Sequence, residues 1–570
     1  MPVSDPAALS LKWSFHLADS LYHSGVRHAF ISPGSRSTPL TLALAHYRGI
    51  TCHSVLDERS AGFMALGAAK ETGFPALFVC TSGTAVSNAF PAVTEARMSA
   101  TPLIVLSADR PPSMQATGSS QTIDQIKIFG NYPVFFFDTG EPVDSPIDFR
   151  RLARLGSQAV YYAQSRGGPV HLNLPFRKPL EPGIEQIKEC VKNYSQEDSD
   201  PSFNPARFHG KLAIVPDDGR MPLPETVRKM ITGCKRPMVI AGPGSDPRSP
   251  IFGWSRRHAI PVLGETGNIA ESITKHPLLL GDVTKVRSLS PDLVIRAGGE
   301  PIHRPTLTAL HYWHIPQIRF GDLPELNDST LSVTHQVLHP AETYDWQHMS
   351  PEQTFTDWHR LWMDKAQNAE AVQTEALDKE RLLTDGHVYR HLLPFLADTP
   401  DIRTVVSNSF PIRDFLLFGL QDDVNKLPVA VNRGASGIDG VTSTAVGAAI
   451  ATGKPTVLFT GDLAFLHDVT ALNNLAGREL NLKIVIINNR GGSIFRMLPF
   501  EERDEVYTRF IETPQQVGLS EIARAHHLPF ERVETPEDLA GGWKRLASHK
   551  TGILECLTSS SASMHHRNSV

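Results

Sequence analysis

Short apolar runs alternate with amphipathic stretches along most of the chain. Runs rich in β-branched and apolar residues, such as 76–80, 237–241 and 456–460, are typical of buried parallel strands. The stretches between them, such as 11–25, have the spacing of apolar residues that indicates helices. Strands that alternate with helices predict parallel sheets covered by helices on both faces, so the predicted fold class is α/β.

The strand and helix pattern falls into three blocks of comparable size. We expect three doubly wound domains at about 1–190, 210–340 and 380–557, and a length of 570 residues agrees with that number. The stretch 192–209 is rich in Ser, Asp and Pro, which predicts a linker. The tail 558–570 is expected to be disordered.

Composition and charge exclude several classes of protein. Charged residues make up 20% and hydrophobic residues 41%, as in ordinary globular chains. A net charge of −5 without a basic stripe argues against nucleic acid as a partner. No apolar run approaches the roughly 20 residues that a membrane helix needs, so we expect no membrane insertion. The N-terminus lacks a signal-peptide pattern, and the five cysteines are scattered without C-x-x-C, which predicts a cytoplasmic protein.

The stretch 456–492 carries the clearest candidate chemistry. Its first predicted strand ends at Gly461-Asp462, a helical run is predicted from Phe465 onward to Ala476, and a second strand at 483–487 ends at Asn488-Asn489. This is a βαβ unit whose two strand ends carry oxygen donors. Ligands of open α/β sheets bind at the carboxyl ends of the strands.

The oxygen donors of this unit suit a magnesium ion. Asp462 offers a carboxylate, Asn489 offers an amide oxygen 27 residues later, and Gly491 lets a backbone carbonyl approach closely. Mg²⁺ prefers oxygen ligands, takes few from protein and leaves the others to phosphate and water. An alternative is that Asp462 caps the next helix while the two asparagines form a turn, and the spacing alone does not separate the two.

Several motifs resemble a known family. Gly461-Asp462 with Asn489 resembles the diphosphate and metal motif of thiamine diphosphate enzymes, although Leu463 stands where that motif usually has glycine. Five runs closely resemble signatures of the 2-succinyl-5-enolpyruvyl-6-hydroxy-3-cyclohexene-1-carboxylate synthases of menaquinone biosynthesis, within the thiamine diphosphate-dependent decarboxylase-like superfamily. These runs are 31–40, 81–85, 108–112, 432–440 and 488–499, the last with departures at Arg490, Ser493 and Arg496. The middle block resembles the family poorly.

The resemblance implies a fold, a reaction and an assembly. The first domain would bind the aminopyrimidine, the third the diphosphate and metal, and the middle one would be structural. The implied reaction is a transferase reaction, in which 2-oxoglutarate is decarboxylated and the resulting carbanion adds to isochorismate. The implied cofactors are thiamine diphosphate and Mg²⁺ or Mn²⁺. A homodimer or dimer of dimers is expected, since the two halves of each cofactor are bound by different subunits in this superfamily.

The resemblance also implies roles for individual residues. Glu58 would be the catalytic carboxylate beside the pyrimidine nitrogen N1′, where it shares a proton. The implied cofactor-binding residues are Glu58, Thr81, Gly83, Ile438, Asp462, Leu463, Asn489, Gly491, Ile494 and Phe495. Among them Asp462, Asn489 and Gly491 would be the metal ligands. The implied substrate-binding residues are Ser35, Arg36, Arg110, Gln121, Arg304, Ser409, Arg413, Arg433, Phe495 and Leu498.

Arginines are the residues best suited to the two dianionic substrates, because the guanidinium fork binds a carboxylate through two hydrogen bonds. Arg36, Arg110, Arg413 and Arg433 all follow predicted strands. Any one of them alone is better explained by a structural ion pair, whereas the set within the family motifs favours substrate binding. We expect Arg413 and Arg433 to act on 2-oxoglutarate, and Arg36 and Arg110 on isochorismate.

Three other functions compete with this one. Another thiamine diphosphate-dependent 2-oxoacid decarboxylase or carboligase would keep Glu58 and Asp462 but would not need these arginines. A nicotinamide oxidoreductase would need a glycine fingerprint, and the turn at Gly242-Pro243-Gly244 does not match one, since Pro247 stands where the third glycine belongs. A binding protein without activity would be expected to lose Glu58 or the metal donors.

Overall fold

The computed structural model describes residues 5–194, 219–265, 269, 272–281, 283–321, 328–419, 427–500 and 502–568. Within these ranges the strands pair in three sheets, and every pair between named strands is parallel. This confirms the predicted α/β class with three doubly wound sheets. The strands of the three sheets fall within the three predicted blocks, while the domain boundaries themselves stay predictions.

The strands are, in chain order, β1 (His28–Ile31), β2 (Thr51–Ser54), β3 (Ala76–Cys80), β4 (Leu103–Asp109), β5 (Phe135–Asp138), β6 (Pro169–Pro175), β7 (Pro237–Ala241), β8 (Val262–Gly264), β9 (Leu293–Ala297), β10 (Gln317–Phe320), β11 (His335–Val337), β12 (Arg403–Val406), β13 (Val429–Val431), β14 (Thr456–Gly461), β15 (Leu482–Asn488), β16 (Phe530–Val533) and β17 (Thr551–Leu557).

The α-helices are Pro6–His23, Thr38–His46, Glu58–Thr72, Thr84–Ser87, Phe90–Met98, Pro146–Ser165, Ile184–Tyr194, Glu225–Gly233, Pro250–Arg257, His276–Leu280, Val283–Ser288, Arg304–Tyr312, Thr356–Lys379, Asp385–Ala397, Phe410–Asp414, Val441–Thr452, Asp462–His467, Glu505–Tyr507, Leu519–Ala525, Asp538–Ala547 and Ser560–Asn568. Short 3₁₀ segments are Ser35–Ser37, Pro112–Met114, Ala341–Thr343, Val469–Asn474 and Ser493–Met497. The π-helical turns are Phe415–Gly419 and Thr508–Glu512.

The strand order locates a ligand crevice in each sheet. The orders are β2-β1-β3-β4-β6-β5, then β11-β10-β9-β7-β8, then β13-β12-β14-β15-β17-β16. In each sheet the strands that come first and third in the chain are neighbours, and the second lies on the other side of the first, so the direction of winding reverses between the first and the third. Such a switch point opens a crevice at the carboxyl ends of the strands. It lies between β1 and β3 in the first sheet and between β12 and β14 in the third.

The described chain forms two compact units. The first contains 1–216, 432–453 and 467–480, and it includes the first sheet. In this unit helix Glu58–Thr72 packs very closely on helix Val441–Thr452. A Cβ added at Gly67 would lie 2.0 Å from the carbonyl oxygen of Thr444, so the two backbones touch only because glycine stands there. The core under the sheet includes Trp13, Phe15 and Ile104.

The second unit contains 217–431, 454–466 and 481–570. It includes the middle and third sheets, each with its own apolar core. Trp254, Trp346 and Trp362 are fully buried in the core of the middle sheet. Tyr389 and Phe459 pack in the core of the third, with ring centroids 5.2 Å apart.

Two local predictions are wrong. The helix expected from Phe465 to Ala476 is a short α-helix that ends at His467, followed by a 3₁₀ segment. The break occurs at Asp468, which is buried and accepts hydrogen bonds from the backbone nitrogen and the hydroxyl of Ser443 at 2.6 and 2.9 Å. The tail expected to be disordered contains the helix Ser560–Asn568, which is held by buried polar contacts of Arg567.

Two further predictions, the linker and the absence of a membrane helix, can be compared only with the residues that the structure describes. The predicted linker at 192–209 lies outside them except for 192–194, which end the helix Ile184–Tyr194. Among the helices that the structure describes, none has both the length and the apolar character needed to cross a membrane.

Candidate functional site

Two arginines lie at the carboxyl edge of the first sheet. Arg36 follows β1 and is buried, and its Nη1 donates to the carbonyl of Phe176 at 2.7 Å. Arg110 follows β4, and its guanidinium donates to the Ser82 hydroxyl at 2.5 Å and the Ser120 carbonyl at 3.3 Å. Burial lowers the pKa of Arg36, and the nearby charge of Arg110 lowers it further. An anion bound here would offset both effects.

Neutral donors surround these arginines. The backbone nitrogen of Gly83 donates to Oε1 of Gln125 at 3.0 Å, and Nε2 of Gln121 donates to the Ser82 carbonyl at 2.9 Å. Thr81 is buried, and its hydroxyl has no hydrogen-bond partner among the residues that the structure describes. A buried hydroxyl without a partner is costly, which is consistent with a polar ligand at this position.

Glu58 begins a helix beside the end of β3. Asp57 caps this helix by accepting hydrogen bonds from the backbone nitrogens of Arg59 and Ser60, which fixes the first turn. The Glu58 side chain is half-buried, and its Oε2 accepts from the Asn88 amide at 3.4 Å. Burial and the Glu58 charge together raise the pKa of Cys80, at the end of β3, well above its ordinary value.

The predicted run 432–440 packs within the first unit. The carboxylate of Glu95 accepts hydrogen bonds from the backbone nitrogens of Gly434 and Ala435 at 3.0 and 2.6 Å. Arg433 is half-buried, and Ile438 is 37% exposed. A cavity of about 300 Å³ lies beside the run. It is lined by Phe63, Phe90, Pro91, Thr94, Glu95, Asn432, Ala435, Gly437 and Asp439.

The carboxyl edge of the third sheet carries the buried carboxylate of Asp462. Strands β14 and β15 are neighbours with Gly461 opposite Ile487, so Asp462 and Asn489 follow at the same edge. Asp462 is only 6% exposed, and burial raises its pKa to about 7. Its Oδ2 accepts a hydrogen bond from the backbone nitrogen of Gly491 at 2.8 Å. A divalent cation would supply the opposite charge that a buried carboxylate requires.

Only glycine fits at position 491. Its φ of +120° is unfavourable for other residues, and an added Cβ would lie 2.5 Å from the carbonyl oxygen of Glu512. The Glu512 carboxylate in turn pairs with Arg496 through contacts of 2.6 and 3.1 Å. The turn after β15 is thereby held against Asp462.

The donor set at this edge fits a magnesium ion. The described residues contain no group of three or more His, Cys, Asp or Glu side chains placed to hold a metal. The predicted set needs only the one carboxylate of Asp462, since the other protein ligands are the amide oxygen of Asn489 and the carbonyl of Gly491. Such a set, completed by phosphate and water, is what Mg²⁺ prefers.

The loop after β12 carries Ser409 and Arg413. Ser409 has a φ of +71°, which is unusual for serine, and its carbonyl accepts a hydrogen bond from Nη1 of Arg413 at 2.7 Å. Burial lowers the pKa of Arg413. A ring nitrogen of His303 lies 3.2 Å from the Arg413 carbonyl oxygen. The adjacent Arg304 is exposed at the start of its helix.

The predicted site residues fall into two groups. The first unit contains Ser35, Arg36, Glu58, Thr81, Gly83, Arg110, Gln121, Arg433 and Ile438. The second contains Arg304, Ser409, Arg413, Asp462, Leu463, Asn489, Gly491, Ile494, Phe495 and Leu498. Leu463 and Ile494 are half-buried, whereas Phe495 and Leu498 are 40% and 44% exposed. The roles of all these residues stay predictions.

Sequence reasoning missed three acidic residues beside the site. Glu95 binds the run that contains Arg433, Glu512 holds the turn that contains Gly491, and Asp385 accepts from the amide of Asn489 at 3.2 Å. Asp385 begins a helix capped by Thr384, which is a recognisable signal for a helix start only. Nothing local in the sequence connects it with Asn489, which lies 104 residues away.

Family models match both ends of the chain. Residues 11–128 match the thiamine pyrophosphate enzyme, N-terminal TPP binding domain. Residues 429–555 match the thiamine pyrophosphate enzyme, C-terminal TPP binding domain. The first match includes Glu58, Arg36 and Arg110, and the second includes Asp462 and Asn489. The matches confirm the prediction of a thiamine diphosphate enzyme.

Relatives from several organisms align with nearly the whole chain and share the name 2-succinyl-5-enolpyruvyl-6-hydroxy-3-cyclohexene-1-carboxylate synthase. One from Chloroflexus aurantiacus is 35% identical over 536 residues, which is 90% of this chain and 88% of the relative. One from Geobacillus kaustophilus is 33% identical over 521 residues, 88% and 87% of the two chains. One from Synechocystis is 32% identical over 575 residues, which is 95% of this chain and 93% of the relative.

Proposed function

Because this chain belongs to the family of 2-succinyl-5-enolpyruvyl-6-hydroxy-3-cyclohexene-1-carboxylate synthases, we propose that it catalyses their reaction in menaquinone biosynthesis. It decarboxylates 2-oxoglutarate and joins the remaining four-carbon unit to isochorismate, with thiamine diphosphate as cofactor. The observation that carries the proposal is that Arg36 and Arg110 both lie at the carboxyl edge of the first sheet, with Arg36 buried and held by the Phe176 carbonyl and Arg110 held by the Ser82 hydroxyl. A thiamine diphosphate enzyme acting on monoanionic 2-oxoacids would not require them.

Asp462, Asn489 and Gly491 are the proposed ligands of Mg²⁺ or Mn²⁺. The burial of Asp462 and the oxygen character of the donors support this assignment. Leu463, Ile494 and Phe495 would contact the cofactor beside the metal. When bound, thiamine diphosphate supplies a nucleophilic carbon and an electron sink for decarboxylation.

Glu58 is the proposed proton-sharing partner of the pyrimidine nitrogen N1′. A half-buried carboxylate at the first turn of a helix is fixed in place, and a proton shared with it favours the ring form that can accept a proton at the amino group. Thr81 and Gly83 would line the same face of the ring, and Ile438 would support the cofactor from the apolar side.

The arginines are the proposed recognition groups for substrate carboxylates. Arg36 and Arg110 would bind isochorismate, helped by the neutral donors Ser35 and Gln121. Arg413 and Arg433 would bind 2-oxoglutarate. Ser409, Arg304, Phe495 and Leu498 would complete the substrate contacts. A guanidinium can bind a carboxylate through two charge-assisted hydrogen bonds, which supplies both charge and geometry for a dianionic ligand.

We further propose a homodimer or a dimer of dimers in the cytoplasm. In such an assembly Glu58 of one copy would serve the cofactor held by Asp462 of the other. The partial exposure of Ile438, Phe495 and Leu498, apolar residues at the proposed site, supports an additional covering surface. The free cysteines agree with a reducing compartment.

A titration tests the proposed reaction. Thiamine diphosphate is added to protein freed of cofactor, with Mg²⁺, 2-oxoglutarate and isochorismate present, and the loss of isochorismate absorbance is followed. We expect saturable consumption of isochorismate that requires 2-oxoglutarate, with CO₂ released from 2-oxoglutarate in preference to pyruvate. Release of CO₂ mainly from pyruvate, with isochorismate unchanged, would favour another carboligase of the superfamily.

A further inference from the structure

Asp385 lies at the carboxyl edge of the third sheet and binds three side chains there. It begins the helix Asp385–Ala397 and is 1% exposed. Its Oδ1 accepts from the hydroxyl of Thr558 at 2.6 Å. Its Oδ2 accepts from Nδ2 of Asn489 at 3.2 Å and from Nη2 of Arg567 at 2.5 Å.

The contact with Asn489 decides which end of its amide faces outward. The oxygen and nitrogen of an amide are nearly the same size, but only the oxygen can bind Mg²⁺. An ionised carboxylate is an acceptor only, so Asp385 attracts the amide nitrogen and repels the amide oxygen. The flipped amide would set its oxygen against the carboxylate and offer hydrogens to the metal.

We propose that Asp385 is a positioning residue that fixes the amide of Asn489 with its oxygen toward the metal, an inference that rests on the proposed metal site. Partners of metal ligands commonly act in this way, by orienting a ligand that has two possible faces. Asp385 touches neither the metal ligands Asp462 and Gly491 nor the reacting atoms in this role. Its charge also acts on Asp462, but that effect does not depend on which atom ends the side chain of residue 489, so the Asn489→Asp background separates the two.

Arg567 holds Asp385 in place from the helix Ser560–Asn568. The Arg567 side chain is 6% exposed, and its Nε donates to Oδ1 of Asp414 at 2.8 Å while Nη2 also contacts Oδ2 of Asp414. Its guanidinium lies 3.5 Å from the ring centroid of Phe410. One cation thus supplies the opposite charge for two buried carboxylates, as burial of charges requires.

The test compares Mg²⁺ binding in four full-length proteins, each saturated with thiamine diphosphate and titrated by calorimetry. They are the wild type, Asp385→Asn, Asn489→Asp and the protein with both changes. Asp385→Asn removes the acceptor-only character of the side chain while keeping its shape. We expect it to raise the Mg²⁺ dissociation constant about 10- to 100-fold. In the Asn489→Asp background both oxygens of residue 489 can bind metal, so orientation no longer matters. There the added Asp385→Asn change should cost no affinity.

Matched variants separate positioning from structure. Asp414→Asn alters the other carboxylate bound by Arg567 without touching Asn489, and its Mg²⁺ affinity should stay near wild type. Asp385→Glu keeps an acceptor-only carboxylate and should lose less than tenfold in Mg²⁺ affinity relative to wild type, a measurement that does not depend on whether Asp385→Asn folds. Thermal unfolding of the cofactor-free proteins monitors the fold.

Each outcome bears on a different claim. Equal losses from Asp385→Asn in both backgrounds, or no loss in either, would overturn the positioning role. Unchanged Mg²⁺ affinity in Asp462→Ala would overturn the metal site itself. A loss in Asp462→Ala without one in Asp385→Asn would leave the metal site standing and remove only the role of Asp385.

Discussion

The first and third sheets have the same strand order but different charged side chains at their carboxyl edges. Counted from its own first strand, each sheet runs 2-1-3-4-6-5. The edge of the first carries Arg36 and Arg110 together with Asp109 and Asp138, whereas the edge of the third carries Asp385, Asp414 and Asp462 with Arg567. The order of strands determines where a crevice forms, and the residues after the strands determine the charge of its ligand.

The two edges also differ in how their charges are compensated. Arg36 and Arg110 donate to backbone carbonyls and a hydroxyl, which are neutral, while the charges of Asp109 and Glu181 act on Arg36 from nearby. At the third edge Arg567 pairs with Asp385 and Asp414. Asp462 accepts instead from the backbone nitrogen of Gly491, a neutral group. A cation at the third edge therefore has Asp462 as its natural partner.

The largest effect is expected at the acidic edge. Asp462→Ala should abolish activity and thiamine diphosphate–Mg²⁺ binding, because it removes the carboxylate ligand, while the fold survives. Calorimetry measures the affinity. Asp504→Ala is the control, since Asp504 is an exposed carboxylate that caps a short helix by accepting from Tyr507 at 2.8 Å. Unchanged affinity in Asp462→Ala would mean that Asp462 only caps its own helix.

A large effect is also expected at Glu58, in the first unit. Glu58→Gln should still bind the cofactor but slow the exchange of its C2 proton by roughly 10²–10⁴-fold, the usual worth of a general acid–base group. Exchange into deuterated water, followed by NMR after acid quench, measures the rate. Asp57→Asn keeps the helix cap next to Glu58 and should exchange near the wild-type rate. Wild-type exchange in Glu58→Gln would remove Glu58 from catalysis.

The arginines should show effects of at least about tenfold, because leaving a buried carboxylate without its partner costs about 2–5 kcal/mol. Arg413→Ala and Arg433→Ala should raise the KM for 2-oxoglutarate or lower its kcat/KM. Arg36→Ala and Arg110→Ala should act mainly on isochorismate. Steady-state kinetics with each substrate varied in turn measures the split.

Thiamine diphosphate affinity should change little in all four arginine variants. Arg177→Ala, which removes an exposed pair with Glu141, is the control. Equal effects on both substrates would refute the division between the two pairs of arginines. No effect on either substrate would refute the substrate assignment.

The smallest expected effect is a partial recovery of activity when variants of the two edges are mixed. Glu58→Gln and Asp462→Ala proteins are each inactive, but mixing them under conditions of subunit exchange should restore activity to roughly a quarter of wild type. Random pairing makes half of the dimers hybrid, and each hybrid has one intact site if the two edges come from different copies. Mass spectrometry confirms the exchange. Exchange without recovery would indicate sites built within one chain.

The strands missed by sequence analysis are all edge strands. β5, β11 and β16 lie at the ends of their sheets, where one side has no neighbouring strand. Most of their residues are only half-buried, and β11 and β16 lack the continuous apolar run of the buried strands. β5 does contain such a run at Phe135–Phe137, but it is too short to predict a strand by itself. The central strands, such as β14 and β15, were predicted within one or two residues because burial on both faces dictates their composition.

The predictable part of the site is the part that is local in sequence. Asp462, Asn489 and Gly491 follow two neighbouring strands, and the parallel pairing of those strands places them at one edge. Their supporting partners come from far along the chain, as with Glu95, which binds Gly434 from 339 residues away. Only the packed fold shows such pairs, because neither partner has a sequence pattern of its own.

The ion pairs of Arg567 have a consequence for the order in which the chain is made. Asp385 is synthesised 182 residues and Asp414 153 residues before Arg567. At about 5–20 residues per second, the ribosome takes on the order of 10–40 s to add the missing cation. Until then the two carboxyl groups stay in water or are buried only in the protonated form, since burying an unpaired charge is costly. The ion-paired edge of the third sheet is therefore completed late in synthesis, on the order of 10 s or more after its first strand has been made.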